Sequence, residues 1–319
     1  DEMFAAPGRP RTPYDAVVSV LQPMDPAELR FHADQLARVF TDRGVTYDFA
    51  GEERPFPLDL IPRIIDAVEW DLVARGVKQR VRALEAFLAD VYGPGRVFDD
   101  GVVPWQLIYS SPRFRREVAD FAPPNGVRVH VAGIDLVRDE AGRFRVLEDN
   151  IRVPSGVSYV IENRLAMTRT FPALFADQSV HRVDEYPSRL LAALRAAAPR
   201  GASDPCVVVL TPGVYNAAYF EHTLLARLMG VELVEGRDLF CSRNKVFVHT
   251  TRGRRPVDVI CRRIDDDFLD PLHFRPDSLI GCRGVISATR AGNVTIGNAV
   301  GNRMAYDKLV FTYIPALIS

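Results

Sequence analysis

The chain has 319 residues, 47% of them hydrophobic and 25% charged, with a formal net charge of -1. That length is enough for one large domain or two ordinary ones with a sizeable core, and the near-zero charge argues against nucleic acid or an anionic membrane as a partner. No apolar run reaches the roughly 18 residues that span a bilayer, and Cys206, Cys241, Cys261 and Cys282 form no C-x-x-C pair, which argues against a zinc or disulfide framework and for a reducing, cytoplasmic setting. Lysine is scarce, with only Lys78, Lys245 and Lys308 among many arginines. The chain opens on Asp1 and stops at Ser319 just after an apolar stretch, so a fragment of a longer protein is expected.

In chain order, residues 1–24 are rich in proline and polar residues and are predicted to form an extended arm. Asp25-Pro26 reads as N-cap and first helical residue. Leu29, Leu36, Val39 and Phe40 follow at helical spacing, with Gly44 as the stop. Further helices are predicted over 59–75 and 77–92. In the second of these, Val77, Val81, Leu84, Phe87, Leu88 and Val91 make one apolar face, and Gly93-Pro94-Gly95 ends it.

From 127 the period changes to two: Val127, Val129 and Val131 alternate with Arg128, His130 and Ala132. Strands are predicted over 127–138 and 143–151, flanking the turn cluster Asp139-Glu140-Ala141-Gly142. Helices follow near 158–170 and 185–198, then a composition shift at 199–203 marks a boundary. Beyond it, Cys206–Leu210 is an apolar run of the kind buried in a parallel sheet, 216–229 reads as a helix ended by Gly230, and Val231–Val234 is the next strand. This β-α-β order implies a Rossmann-like layered domain over 201–319, with further strands at 245–250 and 257–263. The fold class is therefore α/β, of mixed α+β character.

The hairpin carries the chemistry. On a strand, residues i, i+2 and i+4 share a face, so Glu148, Asn150 and Arg152 point one way while Leu147 and Ile151 point into a core. If Arg138 pairs with Arg143, Asp135 lies opposite Val146 and diagonal to Glu148, about 7–8 Å away. A tighter turn puts Asp135 directly opposite Glu148, and an odd-length loop would put it on the wrong face. Two carboxylates and an amide oxygen are the hard donors that Mg2+ prefers; an incidental solvated acidic face is the competing reading. After them comes Arg152-Val153-Pro154-Ser155-Gly156-Val157-Ser158, where backbone N–H groups at a helix start suit an anion.

An Asp followed 13 residues later by Glu-x-Asn resembles the magnesium motif of ATP-grasp ligases. The run Glu148–Gly156, with Tyr215–His222 and Arg262–Asp267, most resembles the circularly permuted type 2 ATP-grasp proteins, relatives of glutathionylspermidine synthetase. The resemblance implies a helical segment plus ATP-grasp C-lobe over 25–200 and a pre-ATP-grasp domain over 201–319. It also implies ATP and Mg2+ as cofactors, with small-molecule or peptide carboxylate and amine substrates joined through an acyl-phosphate. Under it, Asp135, Glu148 and Asn150 hold metal, Arg152 neutralises the transferring phosphoryl group, and Ser155, Gly156 and Ser158 meet the nucleotide. Arg262, Arg263 and Asn216 then meet the substrate, although ion pairs from the two arginines to Asp265–Asp267 are an equal expectation. Gly292–Lys308 resembles the entry to the lysine-bearing nucleotide lobe, so the 319 residues alone are expected to bind ATP poorly and to be inactive. The alternative is a non-catalytic binding or scaffold relative; a metal-dependent hydrolase is disfavoured by the lack of a histidine cluster.

Overall fold

A computed structural model describes residues 1–49, 52–176 and 178–318. The chain forms two compact units, Asp1–Ala74 with Glu140–Gly142 and Gly156–Tyr186, and Arg75–Asp139 with Arg143–Ser155 and Pro187–Ser319.

In the first unit, residues 1–24 are not an extended arm. Strands β1 (Phe4–Ala6) and β2 (Arg9–Pro10) make an antiparallel hairpin, and a 3-10 turn at Thr12–Tyr14 leads into the helix Asp15–Leu21. Of the prolines that suggested an arm, Pro7 lies in the hairpin turn, Pro10 in the edge strand β2 and Pro13 at the start of the 3-10 turn, and Tyr14 and Val17 are buried. Asp25 caps the helix Pro26–Asp42 as expected: its carboxylate accepts from Ala27 and Glu28 N–H at 2.7 and 2.9 Å, and Glu28 answers from N3. This capping box satisfies donors that a helix start leaves orphaned. Arg43 forks onto the buried carboxylate of Glu162 in the helix Val157–Thr170. Strands β3 (Thr46–Phe49) and β4 (Glu52–Pro55) form another hairpin.

The two helices predicted over 59–75 and 77–92 are one, Ala67–Val91, and residues 56–66 are not helical. Pro57 and Pro62 disfavour α conformation in the residues before them. Gly76 costs about 1 kcal/mol inside a helix, too little to break 25 residues with an apolar stripe. Leu84, Phe87, Leu88 and Val91 bury that stripe.

In the second unit, β5 (Gly133–Arg138) and β6 (Phe144–Asn150) form the expected hairpin. The alternating valines before it are not strand. Their backbone is held by side chains instead: Arg128 and Val129 donate N–H to the Glu85 carboxylate at 2.7 Å each, and His130 and Val131 donate to Asn298 Oδ1 at 2.7 and 2.8 Å.

The Rossmann-like layer is a four-stranded parallel sheet. Strand β7 (Val207–Leu210) lies between β8 (Glu232–Val234) and β12 (Val259–Arg262), and β13 (Thr295–Gly297) completes the order β13-β12-β7-β8. Every residue of β7 is buried, as a run covered on both faces requires. A separate antiparallel sheet joins β9 (Leu239–Ser242), β10 (Lys245–Thr250) and β11 (Gly253–Val257). Leu88, Ile151, Val208, Ile260 and Ile296 belong to one core cluster, each side chain contributing roughly 1.5–3 kcal/mol of burial. Among the described residues, no helix is long and apolar enough to cross a membrane.

Candidate functional site

The loop that joins β5 to β6 has five residues, because Arg138 pairs with Phe144. Continued without interruption, that odd loop would set Asp135 opposite Leu147. A bulge intervenes: Leu136 pairs with Val146 and Asp135 with Glu148, leaving Leu147 as the extra residue. One extra residue inverts the side-chain alternation beyond it. Glu148 and Asn150 are thereby brought to the face of Asp135, and Leu147, expected in a core, is 62% exposed. Ile151 is fully buried.

Asp135 and Glu148 face each other directly, and Asn150 Nδ2 lies 3.4 Å from Asp135 Oδ2. Among the described residues neither carboxylate makes an ion pair. Like charges directly opposite on a ladder are destabilising, so the arrangement suits a cation. Its donors are hard oxygens once the Asn150 amide turns Oδ1 inward, an orientation that heavy-atom positions leave free. No group of three His, Cys, Asp or Glu residues among those described is disposed to hold a metal. Two carboxylates and an amide match Mg2+, which takes one or two carboxylates and completes its shell with water and phosphate oxygens.

The opposite face of β6 is locked. Asp149 is buried and takes a two-pronged bond from Arg80, Nε to Oδ1 and Nη2 to Oδ2, both 2.6 Å. Arg80 also stacks over Phe311 at 4.6 Å. Beyond the strand, Asn298 Nδ2 donates to Val131 O at 2.7 Å and to Ile151 O at 2.9 Å, and Asn302 Nδ2 reaches Ile151 O at 3.1 Å. Asn298 thus joins the segment before β5 to the segment after β6, a role no local sequence pattern announces.

The remaining expected residues are dispersed. Arg152 lies past the end of β6, pairs with Asp265 at 2.9 Å and stacks over Tyr306 at 5.8 Å. Ser155 is exposed in the second unit. Gly156 precedes the helix Val157–Thr170 at φ 113°, and Ser158 is fully buried within the first unit, which closes its hydroxyl to a phosphate.

Arg262 makes the ion pair to the Asp265–Asp267 run that was the competing expectation to a substrate contact. Its buried guanidinium donates to Asn298 O, Ile264 O and Ala299 O at 2.8, 3.1 and 3.0 Å and pairs with Asp266. It braces the ends of β12 and β13 and has no face open to a substrate. Arg263 is buried against Glu221 at 2.6 Å, so its charge is already balanced. Asn216 is exposed and turns its own loop by accepting from Ala218 N–H at 2.9 Å.

Arg263 stands where the sheet order reverses, between the carboxyl ends of β7 and β12, the position where layered α/β sheets open a crevice. Thr211 and His222 share a 2.9 Å hydrogen bond there. Burial, with the Arg263 charge as a second cause, pushes the His222 imidazole down to about 3.

A family described as a circularly permuted ATP-grasp matches residues 62–319. A protein of Mycobacterium tuberculosis is 58% identical over 318 residues, covering all of this chain and 58% of that protein. A protein of Synechocystis is 47% identical, with 67% of its length covered. A Frankia casuarinae protein named putative glutamate–cysteine ligase 2-2 is 42% identical, with 37% of its length covered. The chain thus spans a little over half of the mycobacterial relative. A glutathione synthetase-like effector from Globodera pallida, solved in apo form, shares the fold with TM-score 0.55 at 11% identity, over 92% of this chain and 68% of that one. With the hairpin geometry and the layered sheet on which that match falls, the chain belongs to the circularly permuted ATP-grasp family.

Proposed function

We propose that the chain is the magnesium-binding portion of an ATP-dependent carboxylate–amine ligase. In the reaction, the γ-phosphoryl group of ATP passes to a substrate carboxylate oxygen, giving an acyl-phosphate and ADP. An amine then attacks the acyl carbon, expelling phosphate and forming an amide. The observation that carries this reading is the direct opposition of Asp135 and Glu148, with Asn150 beside them and, among the described residues, no ion pair to offset their charge.

Asp135, Glu148 and Asn150 would hold Mg2+, which when bound supplies positive charge to the phosphate oxygens. The chain's own residues do the rest. Asp149 and Arg80 keep β6 from rotating, so both carboxylates stay on the open face. Arg152 is held at the end of that face by Asp265 and Tyr306, in place to meet negative charge that accumulates on a phosphoryl group. The names of the Frankia relatives, putative glutamate–cysteine ligases, support an amino-acid-sized acid substrate.

The second reading, a non-catalytic relative, draws on one observation: Arg152 is already paired with Asp265. The two readings separate on Mg2+-dependent ADP release, measured on a protein of the relatives' full length. A ligase releases ADP with acid and amine present and loses at least 100-fold on Glu148→Gln. A scaffold releases none with or without that substitution, which would retire the ligase reading.

A further inference from the structure

Within the second unit, a cavity of about 520 Å³ is walled by Arg113, Arg115, Arg303, Asp267 and Asp307. Three guanidiniums against two carboxylates leave one surplus positive charge. Arg113 is paired with Asp307, and Arg115 with Asp267. Among the described residues Arg303 has only a loose contact, its Nη1 being 3.9 Å from Asp267 Oδ2. The Nε donors of Arg115 and Arg303 are both buried without an acceptor among the described residues. The Arg303 side chain as a whole is nevertheless 31% exposed, so its guanidinium charge is loosely balanced and within reach of a ligand in the cavity, which suits an oxygen acceptor carrying one negative charge.

We propose that this cavity binds a carboxylate of the acid substrate, with Arg303 and Arg115 as its donors. Guanidinium forks match a carboxylate in shape. A single negative charge neutralises the wall, whereas a phosphate dianion would over-fill it beside Asp267 and Asp307. The place is right as well. Asp265, Asp266 and Asp267 are consecutive: Asp265 holds Arg152 at the end of the hairpin face, Asp266 pairs with Arg262 and lies 3.9 Å from Arg115, and Asp267 lines the cavity. An acid held there lies next to the arginine assigned to the phosphoryl group. This moves acid recognition away from Arg262 and Arg263, whose charges the fold already consumes. That the bound acid is the substrate rests on the ligase reading; the binding site itself does not.

The test uses residues 1–319 without Mg2+ at about pH 8, titrated with butyrate, a monoanion, and, separately, with inorganic phosphate, there mainly a dianion. Arginine modification by phenylglyoxal is mapped by peptide mass spectrometry. Butyrate is expected to slow modification of Arg303 at least fivefold while phosphate does not. Arg303→Gln should weaken butyrate binding at least tenfold, and Asp267→Asn, which raises the surplus to two positive charges, should tighten it. Opposite effects from two neighbouring variants cannot come from misfolding. Asp135→Asn should leave butyrate binding unchanged, so a lost ligase activity and a lost cavity are told apart. Equal protection by phosphate, no protection of Arg303, or weakening by both variants overturns the proposal.

Discussion

Glu148 and Asp149 are neighbours in sequence with opposite surroundings. Asp149 is buried under a two-pronged Arg80 bond, while Glu148 faces another carboxylate and makes no ion pair among the described residues. Breaking a buried ion pair costs about 3–5 kcal/mol, so Arg80→Ala is expected to lower unfolding stability by that order. Glu148→Gln removes like-charge repulsion worth roughly 0.2–1 kcal/mol and should leave metal-free stability unchanged or slightly higher. Urea unfolding of both variants checks the contrast; a Glu148→Gln loss above about 2 kcal/mol would make Glu148 a structural residue.

Two histidines make stability depend on pH. Burial pushes His130 down to about 4, and burial with Arg263 nearby pushes His222 to about 3. The unfolded chain takes these protons near pH 6.5, so the folded state binds fewer protons below that value. Their contribution is complete above about pH 6.5 and is lost as pH falls from there toward 3, with a slope of up to about 1.4 kcal/mol per pH unit for each histidine. Unfolding measured at pH 7 and pH 5 should show the drop, and His222→Gln should flatten it.

At the scale of elements, the helices with caps and the apolar strand β7 were legible because their signals are local. The Asp25 N-cap, the Gly230 stop and a buried strand within Cys206–Leu210 all formed where the sequence placed them. The valine alternation at 127–131 misled because alternation marks extended backbone, not a strand partner. Here the partners are Glu85 and Asn298, 43 and 168 residues away. The hairpin register was open for a related reason: a bulge leaves no mark in a pattern. Deleting Leu147 would ordinarily flip a strand's faces, yet here it removes the bulge and leaves Asp135 opposite Glu148. Metal binding should survive that deletion within about threefold. Its loss would mean that the bulge shapes the site directly.

For the molecule as a whole, composition and periodicity pointed to an α/β chain with a Rossmann-like layer, and the parallel sheet β13-β12-β7-β8 has that form. Function was less legible, because binding arginines and structural arginines look alike in sequence. Arg262 and Arg303 differ only in what surrounds them, and residues distant in the chain supply those surroundings. With three lysines in 319 residues, the chain is expected to bind ATP no tighter than millimolar by itself. Calorimetric titration giving micromolar affinity would show that it carries a nucleotide site of its own.

The claim on which the functional reading turns is that Asp135, Glu148 and Asn150 hold one divalent cation between them. Electron paramagnetic resonance of Mn2+ added to residues 1–319 measures this most directly, with Mg2+ as competitor. Wild-type protein should bind one Mn2+ that Mg2+ displaces, and the double variant Asp135→Asn, Glu148→Gln should lose at least tenfold in affinity. Equal Mn2+ binding by wild type and double variant would contradict it.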